Sequence, residues 1–251
     1  MSPNNRDTTD FGFQPIPTSE KVSRVAEVFH SVAPQYDIMN DIMSLGLHRL
    51  WKYFAVSQTQ LQAGDHALDL AGGTGDMTKL LFKKVGKTGH VTLCDINRRM
   101  IESGRARLTN SNYIENITFA QANAETLPFI DHAFDGVVMS FGLRNVTNKM
   151  AVLAEIYRVL KTGKKMIILE FSTPTTIALK KIYDQYSFKI IPKIGAWVAK
   201  DKQSYQYLVE SIRMHPDQDT LLNMIEASGF SRCGYHNLAG GIVAVHYGYK
   251  L

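Results

Sequence analysis

The sequence predicts an α/β domain built on an open, mostly parallel sheet with helices on both faces. Short apolar runs at 66–71, 90–94, 117–120, 136–141 and 165–171 alternate with helical stretches at 76–85, 97–108 and 149–160. Strand alternating with helix is the pattern of a parallel sheet with crossover helices. Two further runs, 231–238 and 242–249, meet at Gly240-Gly241 with no helix between them, so the sheet closes with an antiparallel strand. Finally, the first run ends in Ala71-Gly72-Gly73-Thr74-Gly75, a glycine-rich turn that opens a helix.

In chain order, residues 1–18 mix Pro and Gly with polar residues and show no period around Phe11, Phe13 and Ile16, which predicts a loose arm. From Ser19, Val22, Val25, Ala26 and Phe29 recur at three- and four-residue spacing, a helix that Pro34 interrupts. Residues 36–54 are again helical but broken near Ser44-Leu45-Gly46. Arm and N-terminal helical cap therefore occupy 1–60 and the core 61–251, as one compact domain. The helix at 149–160 carries Val152, Leu153, Ile156, Val159 and Leu160 on one face. Residues 175–202 read as an inserted basic segment with helical patches, and 216–228 as a helix with Pro216 at its start and Gly229 at its end.

Composition bounds what such a domain can do. The 251 residues are 45% hydrophobic and 20% charged, and size scaling leaves about 73% of the unfolded surface buried, enough for one sizeable core. No run reaches the ~18 to 20 apolar residues of a spanning helix, and Met1 to Asp7 has no apolar signal core, so a cytoplasmic protein is expected. Cys94 and Cys233 lack partners at metal-ligand spacing, which predicts a reduced protein without a metal. Net charge is +5, yet 161–202 alone holds nine lysines against Glu170, Asp184 and Asp201, a net of +6. One basic face points to an anionic surface or substrate, whereas nucleic-acid binding more often spreads Arg and Lys widely. No repeat, Gly-x-Ser-x-Gly or Walker-type loop is present, so hydrolases and nucleoside triphosphatases receive little weight.

Four segments carry chemistry. Gly72, Gly73, Thr74 and Gly75 form a turn where a ligand can approach the backbone, at the carboxyl end of the first sheet strand. Asp95 ends the next strand, 26 residues after Asp69, where an acid can accept from both hydroxyls of a ribose; its alternative role is to cap the helix starting near Asn97. Asn123 and the backbone N-H of Ala124 follow the third strand and can read an adenine edge. Ser140, at the end of the fourth strand, would face the cofactor, and Arg144 the reacting substrate.

Together these segments occur in the chain order of a class I S-adenosylmethionine-dependent methyltransferase, which the sequence resembles. The turn departs from G-x-G-x-x-G, because Gly75 has no glycine three residues on, and has Ala71 where the first glycine of methyltransferases commonly sits. Residues 36–51, from Tyr36-Asp37-Ile38 to Arg49-Leu50-Trp51, are similar to the first signature of the ubiquinone/menaquinone biosynthesis C-methyltransferases. Residues 158–172 resemble the second, with Thr162 in place of proline and Lys164 in place of glycine.

That resemblance covers essentially the whole chain. It implies a Rossmann-like sheet and methyl transfer from S-adenosylmethionine to a ring carbon of reduced polyprenyl quinols: demethylmenaquinol, and 2-polyprenyl-6-methoxy-1,4-benzoquinol. A hydroquinone carbon becomes nucleophilic when its neighbouring hydroxyl loses a proton, chemistry that requires no metal. Arg144 is then expected to stabilise the developing phenolate, with Tyr36, Asn40, Asn145, Tyr205 and Arg213 as pocket residues. A greasy substrate also implies a peripheral meeting with the inner face of a membrane, for which 175–202 offers Leu179, Ile182, Tyr183, Tyr186, Ile190 and Trp197 among lysines. A homodimer or a complex of quinone-biosynthesis proteins is left open. The competing readings are a methyltransferase acting on another small lipophilic acceptor, a nicotinamide-dependent oxidoreductase, a non-catalytic sensing or assembly subunit, and an RNA methyltransferase; the last lacks any motif for a flipped base.

Overall fold

The computed structural model describes residues 8–32, 41, 44, 46–110, 115–191, 193 and 202–251. Its first element corrects the expectation of a loose arm. Strands β1 (Thr8–Phe11) and β2 (Gln14–Pro17) pair as an antiparallel hairpin turning at Gly12, whose φ of +59° lies where glycine is favoured. Such short strands leave no readable period, and what holds them is distant in sequence. Phe11 stacks on Tyr207 with centroids 4.2 Å apart, and Phe13 donates its backbone N-H to Glu210 at 3.1 Å.

Helix α1 (Thr18–Val32) follows, then α2 (His48–Ser57). The core begins with β3 (His66–Leu70), α3 (Asp76–Val85), β4 (His90–Asp95), α4 (Arg98–Asn110), β5 (Ile117–Gln121), β6 (Phe134–Ser140), α5 (Lys149–Val159) and β7 (Leu160–Phe171). Asn148 caps α5 by accepting from Ala151 N at 3.1 Å. The segment before β7 that departs from the second family signature is absorbed into this strand. Gly163 adopts φ +79°, and pairing with β6 shifts register between Phe134 and Gly136.

Beyond β7 come α6 (Ile177–Gln185), continued by a π-helical turn at Tyr186–Ile190, then α7 (Lys202–Met214) and α8 (Gln218–Ala227). Pro216 stands outside α8 and not at its first turn; Asp217 is the cap, accepting from Thr220 N at 2.8 Å. Strands β8 (Ser231–Leu238) and β9 (Val243–Tyr249) complete the sheet.

The sheet has seven strands in the order β5-β4-β3-β6-β7-β9-β8, parallel except for β9, which runs antiparallel to both neighbours. Alternate residues of each strand point to opposite faces. Val138, Ile167 and Val245 therefore join Val25, Trp51, Leu81 and Leu208 on the face covered by α1, α2, α3 and α7. Val137 and Ile168 join Val152, Ile156 and Leu221 under α5 and α8.

The basic segment is also resolved into parts. Lys161 and Lys164 pair with Asp135, and Lys165 lies over the rings of Tyr247 and Tyr249, so these three serve the first half of β7 inside the sheet. Lys180, Lys181, Lys189 and Lys193 are exposed.

Candidate active site

The chain runs outward from β3 through β4 to β5, then returns to the other side of β3 as β6, and this reversal leaves a crevice at the carboxyl ends of the strands. A cleft of about 840 Å³, open to solvent, occupies that place. Gly73 follows β3, Asp95 ends β4 and Ile96 and Asn97 follow it, Ala122 to Glu125 follow β5, and Ser140 ends β6 ahead of Phe141 and Gly142. The opposite side is apolar, made by Val22, Val25, Ala26 and Phe29 of α1.

The glycine turn divides its labour. Gly73 lines the cleft at φ +54°. At Gly72 a Cβ would come within 2.8 Å of Leu93 and 2.9 Å of Asp69, and at Gly75 within 2.9 Å of Leu108, so these two glycines let the turn sit against the sheet and α4. Thr74 is buried. Ala71 adopts φ +55°, a conformation that costs an L-residue about 1–2 kcal/mol. The alanine in the glycine's usual place is thus a strained position, and it lines the cleft. Beneath the turn, burial pushes the Asp69 carboxyl up to about 7, against the pull of the Thr78 hydroxyl that donates to it at 2.6 Å and of the Lys52 charge.

Of its two expected roles, Asp95 does not take the capping one. One carboxylate oxygen accepts from Gly73 N at 2.9 Å and the other from Asn97 N at 2.8 Å, while burial raises its pKa. The cap of α4 is supplied by Asn97, whose side chain accepts from Arg99 N at 3.0 Å and Met100 N at 3.3 Å. Each Asp95 oxygen keeps a further lone pair for a ligand at the cleft wall. Asn123 Oδ1 accepts from Glu125 N at 3.0 Å, which leaves the amide N-H groups as its donors. Glu125 in turn accepts from Thr147 N at 2.8 Å and Asn148 N at 3.1 Å, tying the β5 and β6 ends together.

On the β6 side, Phe141 is a second strained residue of the lining, at φ +55°. Asn145 lines the cleft and accepts at Oδ1 from the Tyr207 hydroxyl at 3.1 Å. Between them Arg144 turns away from the cleft. Its Nη1 donates to Glu170 at 2.7 Å and to the Phe141 carbonyl at 2.6 Å, and its guanidinium lies 5.6 Å from the Phe171 ring centre. Both side chains are buried, 3% exposed for Arg144 and 1% for Glu170.

A model of the ubiE/COQ5 methyltransferase family matches residues 17–250. The chain belongs to the ubiE/COQ5 methyltransferase family. It is 54% identical over 250 residues to the ubiquinone/menaquinone biosynthesis C-methyltransferase UbiE of Marinomonas sp. (strain MWYL1), covering 100% of both chains. It is 56% identical over 247 residues to the UbiE of Legionella pneumophila subsp. pneumophila, covering 98% of this chain and 99% of that one. Among solved structures, a SAM-dependent methyltransferase from Aquifex aeolicus shares the fold at a TM-score of 0.62 and 16% identity, over 86% of this chain and 98% of that one.

In this ubiE/COQ5 methyltransferase the structure gathers Gly73, Asp95, Asn123, Ala124, Ser140 and Asn145 around one cleft. Gly72, Thr74 and Gly75 stand just behind the wall. Tyr205 is fully buried in the core, and Arg213 pairs with Asp184 and packs against Tyr183 and Phe188; neither lines the cleft. Tyr36, Asn40 and Trp197 lie outside the described residues. Sequence reasoning noted Ala71 as a departure from the usual glycine but took it as a mild one, which its positive φ corrects; it gave Phe141 and Glu170 no role, and read Val22, Val25, Ala26 and Phe29 only as a helix stripe. That stripe was the available signal, since an apolar face ahead of the first sheet strand has to cover something.

Proposed function

We propose that this methyltransferase methylates a ring carbon of demethylmenaquinol and of 2-polyprenyl-6-methoxy-1,4-benzoquinol, with both rings reduced. It is a C-methyltransferase of ubiquinone and menaquinone biosynthesis that uses S-adenosylmethionine. One observation carries the substrate reading: a single cleft joins a polar wall suited to a nucleoside with an apolar wall suited to a greasy ring.

The residues fit the donor. Gly73 sits at the cleft surface, where a side chain would meet Met100 at 3.3 Å, and the Asp95 carboxylate faces the same space with acceptor capacity for two ribose hydroxyls. Asn123 and the Ala124 N-H would read the adenine edge, with Ser140 beside them. S-adenosylmethionine supplies an electrophilic methyl group on a sulfonium. The protein's tasks are to hold the quinol ring in line with that methyl, exclude water and stabilise the phenolate that forms as the ring hydroxyl gives up its proton. Asn145, fixed by Tyr207, presents an amide on the acceptor side, whereas Arg144, expected to face the ring, is turned inward onto Glu170 and would act on the phenolate from behind that wall. Tyr36 and Asn40, outside the described residues, stay acceptor candidates from the family resemblance alone, whereas Arg213 joins α6 to α7 through Asp184.

The reading extends to the membrane that holds such a substrate. On α6 and its π turn, Leu179, Tyr183 and Tyr186 turn inward, while Ile177, Ile182, Phe188 and Ile190 are exposed beside Lys180, Lys181 and Lys189. Among the described residues no helix is long and apolar enough to cross a membrane. Apolar side chains beside exposed lysines suit a surface of anionic lipid. Charge reversal of the three lysines is expected to abolish flotation with anionic liposomes, and unchanged flotation rejects the membrane contact.

The decisive assay is transfer of labelled methyl to reduced, short-tailed demethylmenaquinol and to a methoxy-benzoquinol analogue. Ring-carbon product with both supports the dual reading, product with one narrows it, and donor binding without product refutes it.

A further inference from the structure

We infer that Glu170 is a positioning residue for methyl transfer, acting through Arg144 to fix the strained Phe141 to Asn145 turn that forms the acceptor side of the cleft. The inference rests on the reading of this cleft as the methyl-transfer site.

Glu170 sits near the end of β7, next to β6 in the sheet, with its side chain 1% exposed. Its carboxylate collects three donors: Arg144 N at 3.2 Å, Arg144 Nη1 at 2.7 Å and Phe171 N at 2.9 Å. The same Nη1 reaches the Phe141 carbonyl at 2.6 Å. One buried acid therefore grips the turn at both ends, by the backbone of Arg144 and, through its guanidinium, by the carbonyl of Phe141.

This turn needs gripping. Phe141 holds a left-handed conformation, and strain of that kind persists only where the surroundings over-determine it. At Gly142 a Cβ would stand 2.7 Å from Ala71 Cβ, so the β6 turn abuts the glycine turn with no slack. A small release at Phe141 moves Asn145 and the Arg144 cation relative to the donor wall. Arg144 Nε is buried with no hydrogen-bond partner among the described residues, and buried N-H groups in folded proteins are nearly always matched. An acceptor oxygen would supply the missing partner while Glu170 neutralises the guanidinium from its other side. Net stability is a poor reason for such a pair, because a buried ion pair rarely stabilises more than apolar packing of the same volume.

The experiment compares wild type with Glu170→Gln and Glu170→Asp, reading kcat and KM for a short-tailed quinol, Kd for S-adenosylmethionine by calorimetry, and folded fraction by circular dichroism. Misplacement by about 1 Å predicts kcat per folded molecule down by about 100-fold in Glu170→Gln, with Kd for the donor within about threefold of wild type. Glu170→Asp, which keeps the charge on a shorter arm, is expected to fall between Glu170→Gln and wild type. Wild-type kcat in either folded variant overturns the inference, as does a loss of donor affinity equal to the loss of kcat. Should Glu170→Gln not fold, Glu170→Asp decides alone. If wild type itself methylates no quinol, the functional reading fails and this inference with it; if only the variants are unaffected, the inference alone fails.

Discussion

The two walls of the cleft are built on different principles. The wall proposed for the donor, at the ends of β3, β4 and β5, is made of backbone: turns at Gly73, Asn97 and Asn123, with each acid or amide accepting from a peptide N-H nearby. The wall proposed for the acceptor, at the end of β6 and along α1, is made of side chains from segments far apart, with Asn145 held by Tyr207 and, behind it, Arg144 held by Glu170. Backbone turns recognise what every methyl donor of this kind has in common, and they need only a few neighbouring residues. Side-chain walls adapt to one acceptor and need the whole fold to place them.

The sharpest way to break this contrast is at Asp95. Asp95→Ala removes the acceptor proposed for two hydroxyls, each a charge-assisted bond worth about 1.5–3 kcal/mol, and should weaken S-adenosylmethionine binding by about 100-fold or more in calorimetry. A change below about tenfold would mean that the donor wall has been misread.

On the acceptor wall the comparable quantity is coupling. Arg144→Met strands a buried carboxylate and is expected to lower unfolding free energy in urea by about 3–5 kcal/mol, whereas Arg144→Met combined with Glu170→Met should recover most of it. Additive losses would show that the two side chains do not act as a pair.

Beneath the donor wall, Asp69 titrates at about 7 instead of in the usual carboxylate range. A carboxyl raised in the folded state binds its proton more tightly there than in the unfolded chain, so stability falls as pH rises from about 4 to about 7 and the full penalty applies above. Asp69→Asn should therefore gain on wild type across that window, approaching about 4 kcal/mol at pH 8. A flat difference curve from pH 4 to 8 would remove Asp69 as a strained acid.

The smallest effect expected is at Ala71. Ala71→Gly relieves the left-handed conformation but frees the unfolded chain, for a net gain of about 0.5–1 kcal/mol in urea unfolding. A loss instead would show that the Ala71 methyl, which stands close to Gly142, contributes more by packing than it costs in strain.

Strand positions were legible because parallel central strands are apolar on both faces, as in β3, β4 and β6, and α3 was framed by Gly75 and Gly86. The hairpin at 8–17 escaped because it carries no signal of its own, whereas α7 was overlooked although Tyr205, Leu208, Val209 and Ile212 recur at helical spacing and form its buried face. Phe11, Phe13 and Gly12 make sense only against Tyr207 and Glu210, which belong to α7. At Asp95 the sequence offered capping or ligand binding, and the structure shows Asn97 taking the cap while Asp95 lines the cleft. At Arg144 it offered a cation near the substrate. The structure adds the acid, 26 residues away, that determines how that cation is held.

By itself, then, the sequence determined the α/β class, the strands of the parallel sheet, the place of the glycine turn after the first of them, and the family. All of these are written in short-range patterns, where strand period, helix cap and glycine turn are set by neighbours within about ten residues. Only the tertiary structure decided that α1 forms a wall of the cleft, that Ala71 and Phe141 are strained against one another's turns, and that Glu170 governs Arg144. Those features depend on side chains brought together across the fold, where burial and charge balance are properties of the packed molecule and leave no period in the chain.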